Sequence, residues 1–339
     1  MRRAALVLSL ALGVPALASA GAMQGGPLGV PLPLFPADNW WNTDISQAPV
    51  DPKSATFVSF VGGSKRQLHP DFGGCADDPG TCHEIYGFPY VVVTGVQPAD
   101  LRAVQFDFAD ESDGVDHNNN DTPVPFYPIP DAAKTGFRWI EGGGPGTDPR
   151  DSDRHMLIVD KDHNTLYELY NLGWNGTSWE GGSGAFFDMN IAGPQRPDGW
   201  TSADAAGLAI LPGLVRYDEV YGPDPIRHAF RVTVHDTNGH VFPASHDAGS
   251  RSGAPPMGAR FRLKAAKDIS GFPPEMQKIF QAMKTYGLIV ADNGSDMYVS
   301  GTMDPAWDND VLNPAFRSLT AGDFEVVEIG WRPGALGVP

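Results

Sequence analysis

The chain has 339 residues, 41% of them apolar, and a formal net charge of −17 at pH 7. Gly (40) and Pro (31) together make roughly a fifth of it, which demands turns too often for a long-helix or coiled-coil protein. The apolar share rules out global disorder, and a field this negative repels phosphate and so excludes nucleic acid as a partner.

The first twenty residues read as a secretory signal. Arg2 and Arg3 precede the apolar run Ala4–Ala16, and Ala18-Ser19-Ala20 fits a small-residue cleavage site. The run is too short to span a membrane, so the expected location is secreted or periplasmic. Residues 21–36 are rich in Gly and Pro and read as a tether, 37–330 as a single β-rich domain, and 331–339 as a flexible tail. Export makes a disulfide the default for the two cysteines, Cys75 and Cys82. A metal or redox pair is the rival reading, since His69, Asp71, His83 and Glu84 lie close by.

Strand signals dominate the domain. The runs 90–93, 104–108, 155–160, 165–170, 185–189, 228–234, 260–263, 297–300 and 324–329 are predicted strands. In 228–234, Phe230, Val232 and Val234 alternate with Arg231 and Thr233, the period of a half-buried strand. Met276, Ile279, Phe280 and Met283 form one helical face, started by Pro273-Pro274 and stopped by Gly287. Shorter helices are predicted over 52–61 and 202–206, the second capped by Thr201 with Asp204. A mainly β fold follows, a β-sandwich or jelly roll with a few peripheral helices. A seam over residues 110–153 reads as a long functional loop or a boundary between lobes.

The two strands around Lys161–Asn164 predict a hairpin in which Asp160 faces Thr165, Leu157 faces Glu168 and His155 faces Tyr170. One face then carries His155, Glu168 and Tyr170 beside Leu157, Val159 and Leu166. An inward Glu168 would have a raised pKa, and a raised carboxyl beside an imidazole is a common general acid. An exposed face, or a buried Glu–His hydrogen bond with only structural work, is the alternative. His228 shares parity with Phe230, as a cleft-lining or a satisfied core residue, and Asp188 is a candidate second carboxylate. Two such carboxylates suit glycoside hydrolysis, with Glu168 as acid, Asp188 as base or nucleophile, and His155 tuning Glu168. Trp174, Trp179 and Trp200 bracket Asp188 in Gly-, Asn- and Asp-rich loops and could stack on sugars, or pack in the core. Tyr170 and Asp204 join them as substrate-binding candidates. The acidic charge favours a neutral polysaccharide over a uronate or sulfated one.

Oxygen ligands at alternate positions in Asp116–Asn120, with Asp113, Asn118 and Asn120, make structural calcium the cofactor to consider, although Asp121 and Tyr127 break the EF-hand pattern. A solvated loop is the alternative. No P-loop, dinucleotide fingerprint or Gly-x-Ser-x-Gly motif is present. The expected protein is therefore a monomeric exported carbohydrate-active enzyme, a glycoside hydrolase. It competes with a non-catalytic carbohydrate-binding or surface protein, and with a metal-dependent hydrolase or oxidase using His69, His83 and His228.

Several segments also occur together elsewhere: 38–46 (DNWWNTDIS), 68–73 (LHPDFG), 154–170 (RHMLIVDKDHNTLYELY), 196–220 (RPDGWTSADAAGLAILPGLVRYDEV), 255–263 (PPMGARFRL) and 286–294 (YGLIVADNG). With them the chain resembles a group of exported bacterial proteins from soil-type organisms. The resemblance spans most of the expected mature chain and implies export and a shared fold, but no activity.

Overall fold

The computed structural model describes residues 21–75, 85–142 and 152–333. The expected signal segment, Cys82 and the last six residues of the expected tail lie outside them. The described residues hold sixteen strands and four α-helices, so the fold is mainly β with few helices.

Two sheets organise it. One has five strands in the order Gly21–Gln24, Tyr90–Thr94, Met156–Asp160, Thr165–Tyr170 and Ser183–Asp188. The other has six, in the order Phe324–Val326, Arg260–Leu263, Leu288–Asn293, Phe230–Val234, Tyr298–Ser300 and His69–Asp71. Both mix parallel and antiparallel neighbours.

The expected hairpin forms in the expected register: Asp160 opposite Thr165, Val159 opposite Leu166, Leu157 opposite Glu168. Its two faces feed different cores, as alternation requires. Leu157, Val159 and Leu166 join Val92, Ala185 and Phe187 under the loop residues Ile210, Leu211 and Leu214. Met156, Ile158 and Leu169 join Val91 and Val93 on the other face. A small sheet of Val104–Phe106, Trp179–Gly181 and Gly173–Trp174 covers that second face, with Val104, Phe106 and Trp179 in the same cluster. This is a sheet-on-sheet sandwich layer.

The six-stranded sheet supports the largest core. The predicted amphipathic helix forms as Pro274–Thr285 and lays Met276, Ile279, Phe280 and Met283 on it. The helix expected near 52–61 forms as Ser54–Phe60, and Asn309–Arg317 is a helix that the apolar pattern did not announce.

Three expectations are corrected. The segment expected as a tether is partly built in: Gly21–Gln24 pairs antiparallel with Val91–Thr94, and Leu28, Leu34 and Phe35 are buried in the core of the hairpin's inner face. Residues 202–206 form turns instead of a helix, because Asp204 turns inward as an ion-pair partner. The strand Phe230–Val234 is buried on both faces, Arg231 and Thr233 included. A charged residue at an alternate position reads as exposed unless its partners are known.

Phe280 is fully buried between Phe272 and Phe316. Phe280→Ala is expected to cost about 3–5 kcal/mol, measured by urea unfolding at neutral pH.

Candidate functional site

Burial decides the role of Glu168. It does lie on the inward face with His155 and Tyr170, but it has no solvent exposure. Its two oxygens accept the backbone N–H groups of Ile210 (2.7 Å) and Leu211 (2.9 Å), the start of the 3-10 turn Leu211–Gly213. Burial pushes its carboxyl up to about 8, against those two donors. The raised pKa expected for it is therefore present, but Glu168 ties the loop to the hairpin from inside the core.

Asp188 cannot be its partner. Glu168 faces Ala185 across the ladder, whereas Asp188 faces Thr165, three residues along and of opposite parity. The two carboxylates thus stand on opposite faces of one sheet, displaced by about 10 Å along the strands. Asp188 caps its own turn by accepting from Asn190.

His155 is held by Glu141 at 2.5 Å and by the Ala203 carbonyl at 3.1 Å. A carbonyl can only accept, and a carboxylate prefers a donor, so both ring nitrogens carry protons. Burial opposes that charge, but the Glu141 carboxylate raises His155 above the ordinary imidazole range. Burial likewise opposes ionisation of Glu141, yet the His155 charge holds it below the ordinary carboxylate range. His228 is buried elsewhere, between the Glu219 carboxylate (2.9 Å) and the Ala229 carbonyl (2.8 Å), and lines no cleft with Glu168.

The tryptophans separate. Trp179 is buried in the sandwich layer with Trp174 edge-on at 5.3 Å, and Lys134 covers the Trp174 ring. Trp179 serves as core and Trp174 packs against it half-buried, and neither lines the pocket described below. Trp200 remains half-buried, flanked by Arg196 and His117. In the expected calcium loop, Asp113 is the ion-pair partner of Arg196 and accepts the Phe186 N–H. Asp116 accepts the Asn118 N–H, and Asn120 takes a left-handed turn conformation (φ 50°), so local turn chemistry accounts for these residues. His69 lies against Tyr298 at 4.2 Å. His83 and Cys82 fall outside the described residues, so neither the metal trio nor the disulfide with Cys75 is described. Among the described residues no group of three or more His, Cys, Asp or Glu side chains could hold a metal ion, and no helix is long and apolar enough to cross a membrane.

Where chemistry can occur is a pocket of about 400 Å³ beside the hairpin. Tyr170, Phe108, Glu111, Asp153, Asp204, His246 and Asp292 line it. Tyr170 and Asp204 are sequence-derived candidates; the rest are not. Both ends of the seam at residues 110–153 reach this pocket, through Glu111 and Asp153. Arg231 organises its floor. The guanidinium is buried, grips Asp204 through Nε and Nη2 (2.9–3.2 Å), and reaches Asp292 at 2.8 Å and Ser300 Oγ at 2.9 Å. Phe88 covers it at 5.4 Å. Burial pushes Asp204 up to about 6, even against Arg231. Asp153, exposed at the mouth, is raised by its partial burial and then by the neighbouring Glu141 and Asp292 carboxylates, while His155 pulls it down. Tyr170 is raised by burial and by the Asp153 and Asp292 carboxylates. Asp71, at the end of the His69–Asp71 strand, is raised by burial, with Arg231 opposing and Glu141 and Asp153 adding to it.

No protein-family profile, curated protein or solved structure matches the chain. The site must therefore be read from its own chemistry. Asp71, Glu141, Asp153, Asp204 and Asp292 crowd two cations, Arg231 and the His155 imidazolium. An excess of carboxylates over cations in a partly desolvated space keeps at least one proton bound well above the usual range.

Glu168 and His155 give stability the same pH dependence. Glu168 is protonated up to about pH 8 in the fold but only to about 4.5 when unfolded, so its contribution is complete below 4.5 and lost as pH rises to 8. The raised His155 loses its contribution as pH rises through its folded value, above 6.5. Urea midpoints are expected to fall between pH 5 and pH 8.5. Glu168→Gln should lower stability by about 1–3 kcal/mol at pH 5, because one buried N–H loses its acceptor, and should flatten the fall.

Proposed function

We propose that the protein is an exported carbohydrate-active enzyme, a glycoside hydrolase on a neutral polysaccharide, and that it works at the Asp153–Asp292 pocket. One observation carries this reading: two carboxylates in unlike settings face one pocket. Asp153 is pushed towards its protonated form, whereas Asp292 is ion-paired to a buried arginine. Glycoside hydrolysis needs that asymmetry, an acid on one side of the scissile bond and a carboxylate on the other.

In the proposed reaction Asp153 gives its proton to the glycosidic oxygen as the anomeric carbon–oxygen bond breaks. Asp292, held by Arg231, either deprotonates the attacking water or attacks the anomeric carbon itself, and a second step with water then releases the sugar. Each route consumes one water: in the first its proton ends on Asp292 and exchange with solvent restores both groups, and in the second Asp153 takes it directly and regains its acid form. Tyr170 and Phe108 offer flat apolar walls to a sugar ring, and Glu111, Asp204 and His246 offer hydrogen bonds.

Export rests on the N-terminal sequence, and the choice of a neutral polymer on the acidic charge of the whole chain. Calcium does not enter the mechanism.

The test is product release by residues 21–339 from a panel of neutral, acidic and amino-sugar polysaccharides, read by mass spectrometry. Saturated oligosaccharides are expected, from a neutral polymer. Asp153→Asn should lower kcat by about 10²–10⁴-fold, and activity should fall as pH rises through the Asp153 pKa. Unchanged turnover in this variant sinks the acid assignment. Binding to one polymer without product would replace catalysis by a carbohydrate-binding role.

A further inference from the structure

A second pocket, of about 300 Å³, lies at the far edge of the six-stranded sheet and has the opposite chemistry. Its depth is formed by Arg260, the first residue of the Arg260–Leu263 strand, 8% exposed. The other buried arginines nearby have acids: Arg231 has Asp204 and Asp292, and Arg262 has Glu325 at 2.6 Å. Among the described residues no such carboxylate partners Arg260. One amino group donates to the Trp40 carbonyl, and its Nε–H has no acceptor. Burial alone, with no anion to oppose it, pulls the guanidinium down to about 10. A buried, unneutralised charge is costly unless something supplies the counter-charge.

The surrounding groups define that something. Trp40 and Trp331 line the pocket, and both indole N–H groups are buried without acceptors. Phe242 completes an aromatic wall, edge-on to Trp40 at 6.0 Å and capped by Arg332 at 3.8 Å. The three residues that line this flat-walled cavity, Arg260, Trp40 and Trp331, thus each carry a buried N–H with no acceptor among the described residues. The acids that reach it, Asp38 and Glu328, are exposed at its rim. Such a collar, on a chain of net charge −17, disfavours a multiply charged anion more than a singly charged one. A guanidinium matches the two oxygens of a carboxylate.

We propose that this pocket binds a small organic monocarboxylate with a flat apolar body, its carboxylate on Arg260 and its body against Trp40, Trp331 and Phe242. The site is separate from the acidic pocket and does not depend on the hydrolase reading.

The experiment is isothermal titration calorimetry of residues 21–339 with benzoate, its uncharged isostere benzamide, and inorganic phosphate. Benzoate is expected to bind saturably, and benzamide and phosphate at least about tenfold more weakly. Arg260→Gln should weaken benzoate by about tenfold or more while circular dichroism shows the fold retained. Because Arg260 also holds the Trp40 carbonyl, Trp331→Ala serves as a second variant. It should weaken benzoate yet preserve the preference for benzoate over benzamide. The proposal is overturned if benzoate gives no saturable heat at millimolar concentrations, if benzamide or phosphate binds as well, or if both variants bind benzoate as the parent does.

Discussion

Neutralising Arg231 is the constraint on which the centre of this protein depends. A guanidinium cut off from water costs several kcal/mol unless its donors and its charge are met in place. Here the partners come from distant parts of the chain: Asp204 from the loop after the five-stranded sheet, Asp292 and Ser300 from neighbouring strands of the six-stranded sheet, and Phe88 from the segment before Tyr90. The two sheets and the loop between them can all be in place only when this residue is satisfied. The same loop is fixed a second time by Glu168, which accepts the N–H groups of Ile210 and Leu211 from the opposite sheet.

That arrangement has a chemical by-product. Holding one arginine and one imidazolium inside the protein brings five carboxylates within electrostatic reach of each other, more than two cations can neutralise. Burial raises Asp153, Asp71 and Asp204, and the neighbouring carboxylates add to it. Carboxyls shifted towards their protonated forms thus arise from the same burial and charges that assemble the fold. Arg260 is the complementary case, a buried cation lacking an anion where Arg231 has two.

Much of the scaffold was legible in the sequence because short-range alternation governs it. The hairpin register follows from a four-residue loop and parity alone, and so does the shared face of His155, Glu168 and Tyr170; that this face points inward does not. The helix Pro274–Thr285 was equally plain from its apolar spacing. The candidate site was legible only in part. Tyr170 and Asp204 belong to it, but Arg231 meets Asp292 across 61 residues of sequence and Asp153 joins them only through the folded pocket, which no local pattern encodes. A pairing of Glu168 with Asp188 looked plausible because both lie on adjacent strands. Only the ladder between Ser183–Asp188 and Thr165–Tyr170 shows that their parities oppose. The sequence does carry one local signal of the site: Arg231 between Phe230 and Val232 demands buried acids if both faces of the strand are covered.

The strand Gly21–Gln24 has a consequence beyond adding four residues to a sheet. It occupies the outer hydrogen-bonding edge of Tyr90–Thr94, whose neighbouring residues Val91, Val92 and Val93 are all buried. A short apolar β-branched run with its amide edge uncovered is a template for pairing with another molecule. The residues directly after the expected cleavage site therefore act as a guard strip. The edge they present in turn is only four exposed residues long, a poorer template than the valine run, and proteolytic trimming of that end would uncover the run itself.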